Sequence, residues 1–242
     1  NRFLTLYIIP IILGSLTVLS FEPFNLTIIN FLIFPSFFYL LVYINKKSRS
    51  VYRKKPYKKN LFIFGLSFGF GFYLSGISWI TNSLTFDENF KILIPFALIL
   101  IPLFLSLFLG LTTLVIGPYL KLDFSSVLIF SAGIALSDYL RAYVLTGFPW
   151  NLWAYSTSTL SEILQIVNLV GLYSYNLLVI TLFALPTIYF FKISKVKKLL
   201  TIFITMMFIL SLYIYGNYEI NKNKKLLRGD IKKLYVKIIS PN

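Results

Sequence analysis

Residues 92–120 and 163–191 each run for 29 positions without a charged side chain. No other feature narrows the fold of this chain so far. A helix rises about 1.5 Å per residue, and the hydrocarbon core of a bilayer is about 30 Å thick, so about 20 apolar residues cross it. Only 13% of the 242 residues are charged, against about a quarter in soluble domains. That shortage matters more than the 57% hydrophobic content, because a water-facing surface needs charge to cover it. The solvent for this surface is lipid.

Seven runs have the length and composition of spans: 3–20, 26–44, 61–84, 92–120, 127–145, 163–191 and 199–215. The expected fold is an all-α integral membrane bundle of about seven transmembrane helices. Run 3–20 has no small-residue cleavage site, and a second run follows at once, so it reads as a span rather than a secretory signal. Pro95 and Pro102 offer kink points in the fourth run, and Pro186 in the sixth.

The net charge of +15 has an orderly distribution. Arg2, Lys121, the eight basic residues from Lys46 to Lys59 and the four from Lys192 to Lys198 fall on one side of the predicted bundle. Lys91 alone falls in the opposite loops. Basic residues favour the cytoplasmic side, so the N-terminus is predicted inside and the tail after the seventh run outside. Basic clusters between apolar runs set orientation, and no nucleic-acid reading motif accompanies them, so no nucleic-acid partner is expected. There is no cysteine and no histidine. That leaves no thiol nucleophile, no disulfide and none of the commonest metal ligands; neither a metal nor a cofactor is predicted.

The tail carries seven basic residues, which sits awkwardly outside. Large domains, however, translocate largely regardless of charge. Residues 234–239 are β-branched and aromatic and read as a first strand. The expected organisation is a helical membrane domain over 1–217, then a linker and first strand over 218–242 that open a further extracytoplasmic domain. The chain starts at Asn1 and stops without closing structure, as expected of a fragment.

Several motifs stand out. In the third run, Gly65 and Gly69 form a GxxxG pair, with Ser67, Gly71 and Ser75 on a neighbouring face. Small faces let helices approach closely in lipid, and this pattern reads as packing. Asp138 and Arg141 lie three apart on one face of the fifth run. Ionisable residues inside a membrane are expensive and point to function by default; a structural pair that orients two helices is the other reading. Arg141 also has a fork of donors suited to a lipid phosphate. Next follow Thr146-Gly147-Phe148-Pro149-Trp150, then Trp153 and Tyr155. Gly147 permits unusual backbone angles, and Pro149 forbids simple helix continuation. Glu22, in Phe21-Glu22-Pro23-Phe24, sits in the tight turn between the first two runs. Trp79 lies near the outer end of the third run. Aromatic residues at these depths read as interface anchors, and nearly all the unusual residues gather at the outer face.

At these residues the sequence resembles the apolipoprotein N-acyltransferase family. The strongest match is Asp138-Tyr-Leu-Arg141 through Thr146-Gly147-Phe148-Pro149-Trp150 to Tyr155-Ser156. The turn at Phe21 to Phe24, Gly69-Phe-Gly71 through Trp79, Gly171-Leu-Tyr-Ser-Tyr-Asn176 and Val236 to Asn242 support it. Asp138 stands where the family more often has Glu, and Glu22 where a small residue is common.

The resemblance implies a reaction in which an acyl chain moves from a phospholipid donor to the α-amine of a diacylglyceryl-apolipoprotein acceptor. It implies a location in the bacterial inner membrane, and a Glu-Lys-Cys set in a nitrilase-like α/β domain begun by the strand at 234–239. No catalytic residue is therefore assigned within this chain, which is expected to be inactive by itself. Its contribution is a lipid-facing substrate mouth shaped by Trp150, Phe148, Pro149, Gly147, Arg141 and Asp138, with Trp79 and Glu22 beside it. Two rival readings are a multi-spanning transporter, which would want inverted repeats or helices broken at midplane, and a non-catalytic scaffold for another lipid-linked transferase.

Overall fold

A computed structural model describes residues 2–49, 57–144, 147 and 149–227. Among the described residues every regular element is helical. The α-helices are α1 (Ile9–Thr17), α2 (Asn30–Arg49), α3 (Tyr57–Ile77), α4 (Ile94–Ile116), α5 (Phe124–Tyr143), α6 (Ser161–Leu164), α7 (Val167–Val170), α8 (Leu172–Ala184) and α9 (Lys195–Leu227). Short 3₁₀ and π turns extend several of them. With these extensions, five segments are long and apolar enough to cross a membrane: Thr27–Ser48, Tyr57–Thr85, Glu88–Tyr119, Leu172–Phe190 and Lys195–Leu226. Leu4–Ser20 is apolar but has fewer than 18 residues, and α5 carries the Asp138–Arg141 pair; neither is among the five. The strand expected at 234–239 lies outside the described residues.

The sixth run departs most from expectation. Residues 163–191 do not form one span. Gly171 has φ +78 and ψ 164, a conformation essentially confined to glycine, and it separates α7 from α8. Hydropathy cannot register such a break, because the residues on both sides remain apolar. Pro186 acts as expected: α8 ends at Ala184, and a 3₁₀ turn, Leu185–Phe190, follows. No atom lies near enough to obstruct a Cβ at Gly171. Gly171→Ala is therefore a test of backbone strain alone. It is expected to cost about 1–3 kcal/mol in reversible unfolding in micelles. A loss below a few tenths would show that the bend is soft.

Small residues in α3 fit two neighbours at once. A Cβ on Gly65 or Gly69 would meet Thr113 or Ser106 of α4, whereas one on Gly71 would strike the Ile11 carbonyl oxygen of α1. Thr113 Oγ1 donates to the Leu61 carbonyl oxygen (2.9 Å), and Ser15 Oγ donates to that of Gly71 (3.2 Å). Both are interhelical hydrogen bonds of the kind that hold helices together where no water drives association. The contacts pair rising numbers of α1 with rising numbers of α3, and falling numbers of α4. Thus α1 and α3 run parallel, and α4 runs back. Phenylalanines fill the space between α2, α3, α5 and α8. Phe37 stacks on Phe68 with centroids 4.1 Å apart, and Phe130 meets Phe34, Phe37 and Phe38 edge-on.

The bundle has two chemically distinct ends. At one, Arg2 Nη2 donates to Asn60 Oδ1 (2.6 Å), and Asn60 Nδ2 donates to Ser48 Oγ (2.8 Å). The exposed Lys46, Lys47, Lys58, Lys59 and Lys121 surround this end. At the other end Thr27 Oγ1 donates to the Ser156 carbonyl oxygen (2.5 Å), and the Trp79 and Trp150 rings meet. Helix α9 stands apart from the bundle, with only 11% of its spanning window buried. Lys198 Nζ reaches the Tyr189 carbonyl oxygen (2.8 Å), and Gly216 abuts the Glu162 carbonyl oxygen.

Candidate functional site: a buried polar hub beneath two tryptophans

Asp138 and Arg141 face inward from the last turns of α5, as their spacing predicts. Arg141 Nη2 lies 3.1 Å from Asp138 Oδ1, with side-chain exposures of 0% and 2%. At that burial each charge needs further partners, and both have them. Asn176 Nδ2 of α8 donates to Asp138 Oδ2 (2.8 Å), and Asn176 Oδ1 accepts from the Ala154 backbone N–H (2.9 Å). Arg141 Nη1 donates to the Trp150 carbonyl oxygen (2.7 Å), and its guanidinium lies over the Tyr73 ring of α3, 5.3 Å from the centroid. One ion pair thus ties α5, α8, α3 and both ends of the Trp150–Ala154 segment together.

That segment does not continue α5, and the sequence explains why. Val144 leaves α5 in an extended conformation, Gly147 takes φ +76 and Asn151 takes φ +55. A Cβ at Gly147 would strike the Ala142 carbonyl oxygen, so space as well as backbone angle selects glycine. Asn151 is a residue that tolerates the left-handed region, and its side chain packs where Gly76 of α3 leaves room. A 3₁₀ turn, Trp153–Thr157, follows. Here Thr157 Oγ1 donates to the Ala154 carbonyl oxygen (2.7 Å), and Thr157 Oγ1 and the Tyr175 hydroxyl are 2.7 Å apart.

The two tryptophans of this segment separate. Trp153, expected at the interface, is buried: it stacks on Phe72 (centroids 4.4 Å apart) and meets Phe34 edge-on (4.9 Å). Trp150 is half-exposed and pairs with the half-exposed Trp79 at 5.3 Å. The remaining candidates are more scattered. Pro149 is exposed beside Trp150, and Gly147 is half-buried. Phe148 lies outside the described residues. Glu22 does not join the hub; its Oε1 accepts from Ser158 Oγ at 3.4 Å, at the rim. Asn176 and Tyr73 were missed as site residues. An amide inside an apolar run was the available signal for Asn176; Tyr73 gave none among so many aromatic neighbours.

The arrangement is a rigid buried anchor supporting an exposed aromatic ledge. No group of three or more His, Cys, Asp or Glu residues suited to a metal occurs among the described residues. Both carboxylate oxygens of Asp138, both terminal nitrogens of Arg141 and the Asn176 amide are paired within the hub, which suits a support more than a reacting centre.

The family model described as the apolipoprotein N-acyltransferase N-terminal domain matches residues 13–185, which include every residue of the hub. Proteins named apolipoprotein N-acyltransferase are similar over much of the chain. The one from Brucella melitensis is 30% identical over 72% of this chain and 33% of its own length. That from Bradyrhizobium diazoefficiens is 31% identical over 74% and 32%, and that from Rhizobium rhizogenes 25% identical over 88% and 39%. The chain spans about a third of the length of the curated relatives it matches. With a family model covering most of the chain and the whole hub, this chain belongs to the apolipoprotein N-acyltransferase N-terminal domain family.

Proposed function

We propose that residues 1–217 form the lipid-facing membrane domain of an apolipoprotein N-acyltransferase. In the reaction, a phospholipid ester bond breaks and an amide forms between its acyl carbonyl and the α-amine of a diacylglyceryl-cysteine. The amine loses a proton, and the lysophospholipid oxygen gains one. A cysteine nucleophile would divide this into two easier steps through a thioester. This chain has no cysteine, so the nucleophile is assigned to residues outside it, in a nitrilase-like domain that 218–242 introduce. The chain's own task is to admit lipid-anchored substrates sideways and hold them at the outer surface of the bacterial inner membrane.

The observation that carries this reading is the half-exposed Trp79–Trp150 pair fixed over the buried Asp138–Arg141 hub. Amphipathic aromatic rings suit the interface between acyl chains and headgroups. Seven crossings, with Leu4–Ser20 and α5 completed by close neighbours, fit the grouping of basic residues at the opposite end. On this reading the N-terminus is cytoplasmic and the end of α9 is outside.

The chain reconstituted in nanodiscs should be labelled by a diacylglyceryl-cysteine lipopeptide carrying a photoreactive diazirine. Labelling should concentrate around Trp79 and Trp150. Replacing both tryptophans by Ala should reduce it about tenfold, as two aromatic contacts of about 0.5–1.5 kcal/mol each would. Labelling spread evenly along the lipid-exposed faces of α4 and α9, and indifferent to the substitutions, would defeat the proposal.

A further inference from the structure

We infer that the basic end of the bundle holds a binding site for an anionic phospholipid of the inner leaflet, between the first turn of α3 and the last turn of α4. The site lies about 30 Å along α3 from Ile77, at the end opposite the tryptophan pair, and does not depend on the acyltransferase reading.

The antiparallel packing of α3 and α4 creates it. Thr113 Oγ1 is bonded to the Leu61 carbonyl oxygen, and Gly117 packs against the Leu61 side chain, so the start of α3 must lie beside the end of α4. Beside these contacts lies a cavity of about 520 Å³ lined by Tyr57, Lys58, Leu114, Val115, Pro118 and Tyr119. That size is within the range of small-molecule sites. Its lining is amphipathic in order along the chain. Leu114 and Val115, one turn deeper in the span, offer an apolar floor; Lys58 and two tyrosines offer an ammonium and phenols at the rim.

Charge selects the class of ligand. From Lys46 to Lys59 the sequence has eight basic residues and no acidic one. Among the described residues, no carboxylate pairs with Lys58. Asp123, the nearest acid in sequence to α4's end, caps α5 by accepting from the Ser126 N–H (2.8 Å). Basic pockets between helices on the cytoplasmic side suit anionic headgroups, each nearby Lys or Arg contributing about 1 kcal/mol. The apolar floor adds what a soluble phosphate lacks, a place for the first acyl carbons. Val115 and Tyr119 are 64% and 69% exposed, surface that a lipid would cover.

The test reads lipid retention by native mass spectrometry, after the chain is extracted from nanodiscs of equal phosphatidylglycerol and phosphatidylcholine. Phosphatidylglycerol should be retained at least about tenfold over phosphatidylcholine, and Lys58→Ala should lower that preference about fivefold. Val115→Trp keeps every charge but fills the floor, and should lower retention as much. Lys224→Ala with Lys225→Ala, at the other end, should change nothing. Equal losses from the Lys224/Lys225 pair would overturn the proposal in favour of diffuse charge attraction. So would unchanged retention in Val115→Trp. Displacement of the lipid by millimolar inorganic phosphate or glycerol phosphate would reassign the site to a soluble anion. Since the lipopeptide labelling at Trp79 and Trp150 needs no inner-leaflet site, either proposal can fail while the other stands.

Discussion

Asp138→Leu should destabilise the folded bundle by about 3–5 kcal/mol, the range seen when one partner of a buried ion pair is removed. With Arg141 0% exposed, its guanidinium would keep the Trp150 carbonyl and the Tyr73 ring but lose its counter-charge. Asn176 would lose its acceptor at the same time. The double substitution Asp138→Leu with Arg141→Met removes both charges and should recover most of the loss, because a well-packed apolar pair is often as stable as a buried ionic one. Denaturant unfolding in micelles measures all three. A single-variant loss under 1 kcal/mol would mean that the pair is reached by water or headgroups and is not the anchor described above. If the double variant regains stability but loses lipopeptide labelling at Trp150, the pair serves positioning rather than folding.

Trp153→Ala carries the second large expectation, again about 3–5 kcal/mol, the usual cost of truncating a buried aromatic side chain. The indole is 1% exposed, stacked on Phe72, edge-on to Phe34 and within ring contact of Phe21. Four parts of the molecule lean on it: the first turn, α2, α3 and the Trp150–Ala154 segment. Inside hydrocarbon these groups gain nothing from escaping water, so dispersion contacts and ring geometry must supply the stability. Trp153→Phe should cost much less, since the indole N–H has no hydrogen-bond partner among the described residues. Equal losses from Phe and Ala would show that the N–H matters and sink the packing account.

Much of this architecture could be read in the chain, for reasons that can be named. A lack of charge over 29 residues forces a lipid environment whatever the detail. Spacing alone put Asp138 and Arg141 on one face, and the cost of a lone charge made their mutual contact a natural expectation. Gly65, Gly69 and Gly71 announced close packing, although their division between α4 and α1 needed the three-dimensional register. The break at Gly171 stayed hidden because a backbone angle leaves no trace in hydropathy. Trp150 and Trp153 looked alike as interface anchors; what separates them is the bend through Gly147 and Asn151, which turns one ring out and the other in. Asn176 was visible as an amide in an apolar run, but its two partners, on α5 and in the loop, belong to distant parts of the sequence.

Helix α9 has a mechanical property beyond its place in the bundle. Its 33 residues make a rod about 50 Å long. Gly216, seated against Glu162, is a natural fulcrum two-thirds of the way along. About 32 Å of the rod lies on the Lys195 side of that point and about 16 Å on the Leu227 side. A pivot of about 10° there moves Leu227 by about 3 Å, roughly half the displacement at Lys195. A change of bilayer thickness, which alters the tilt of a sparsely packed helix, would thereby become a small displacement of the helix end. The position of the helix end at Leu227 would then answer to the surrounding lipid as well as to the protein.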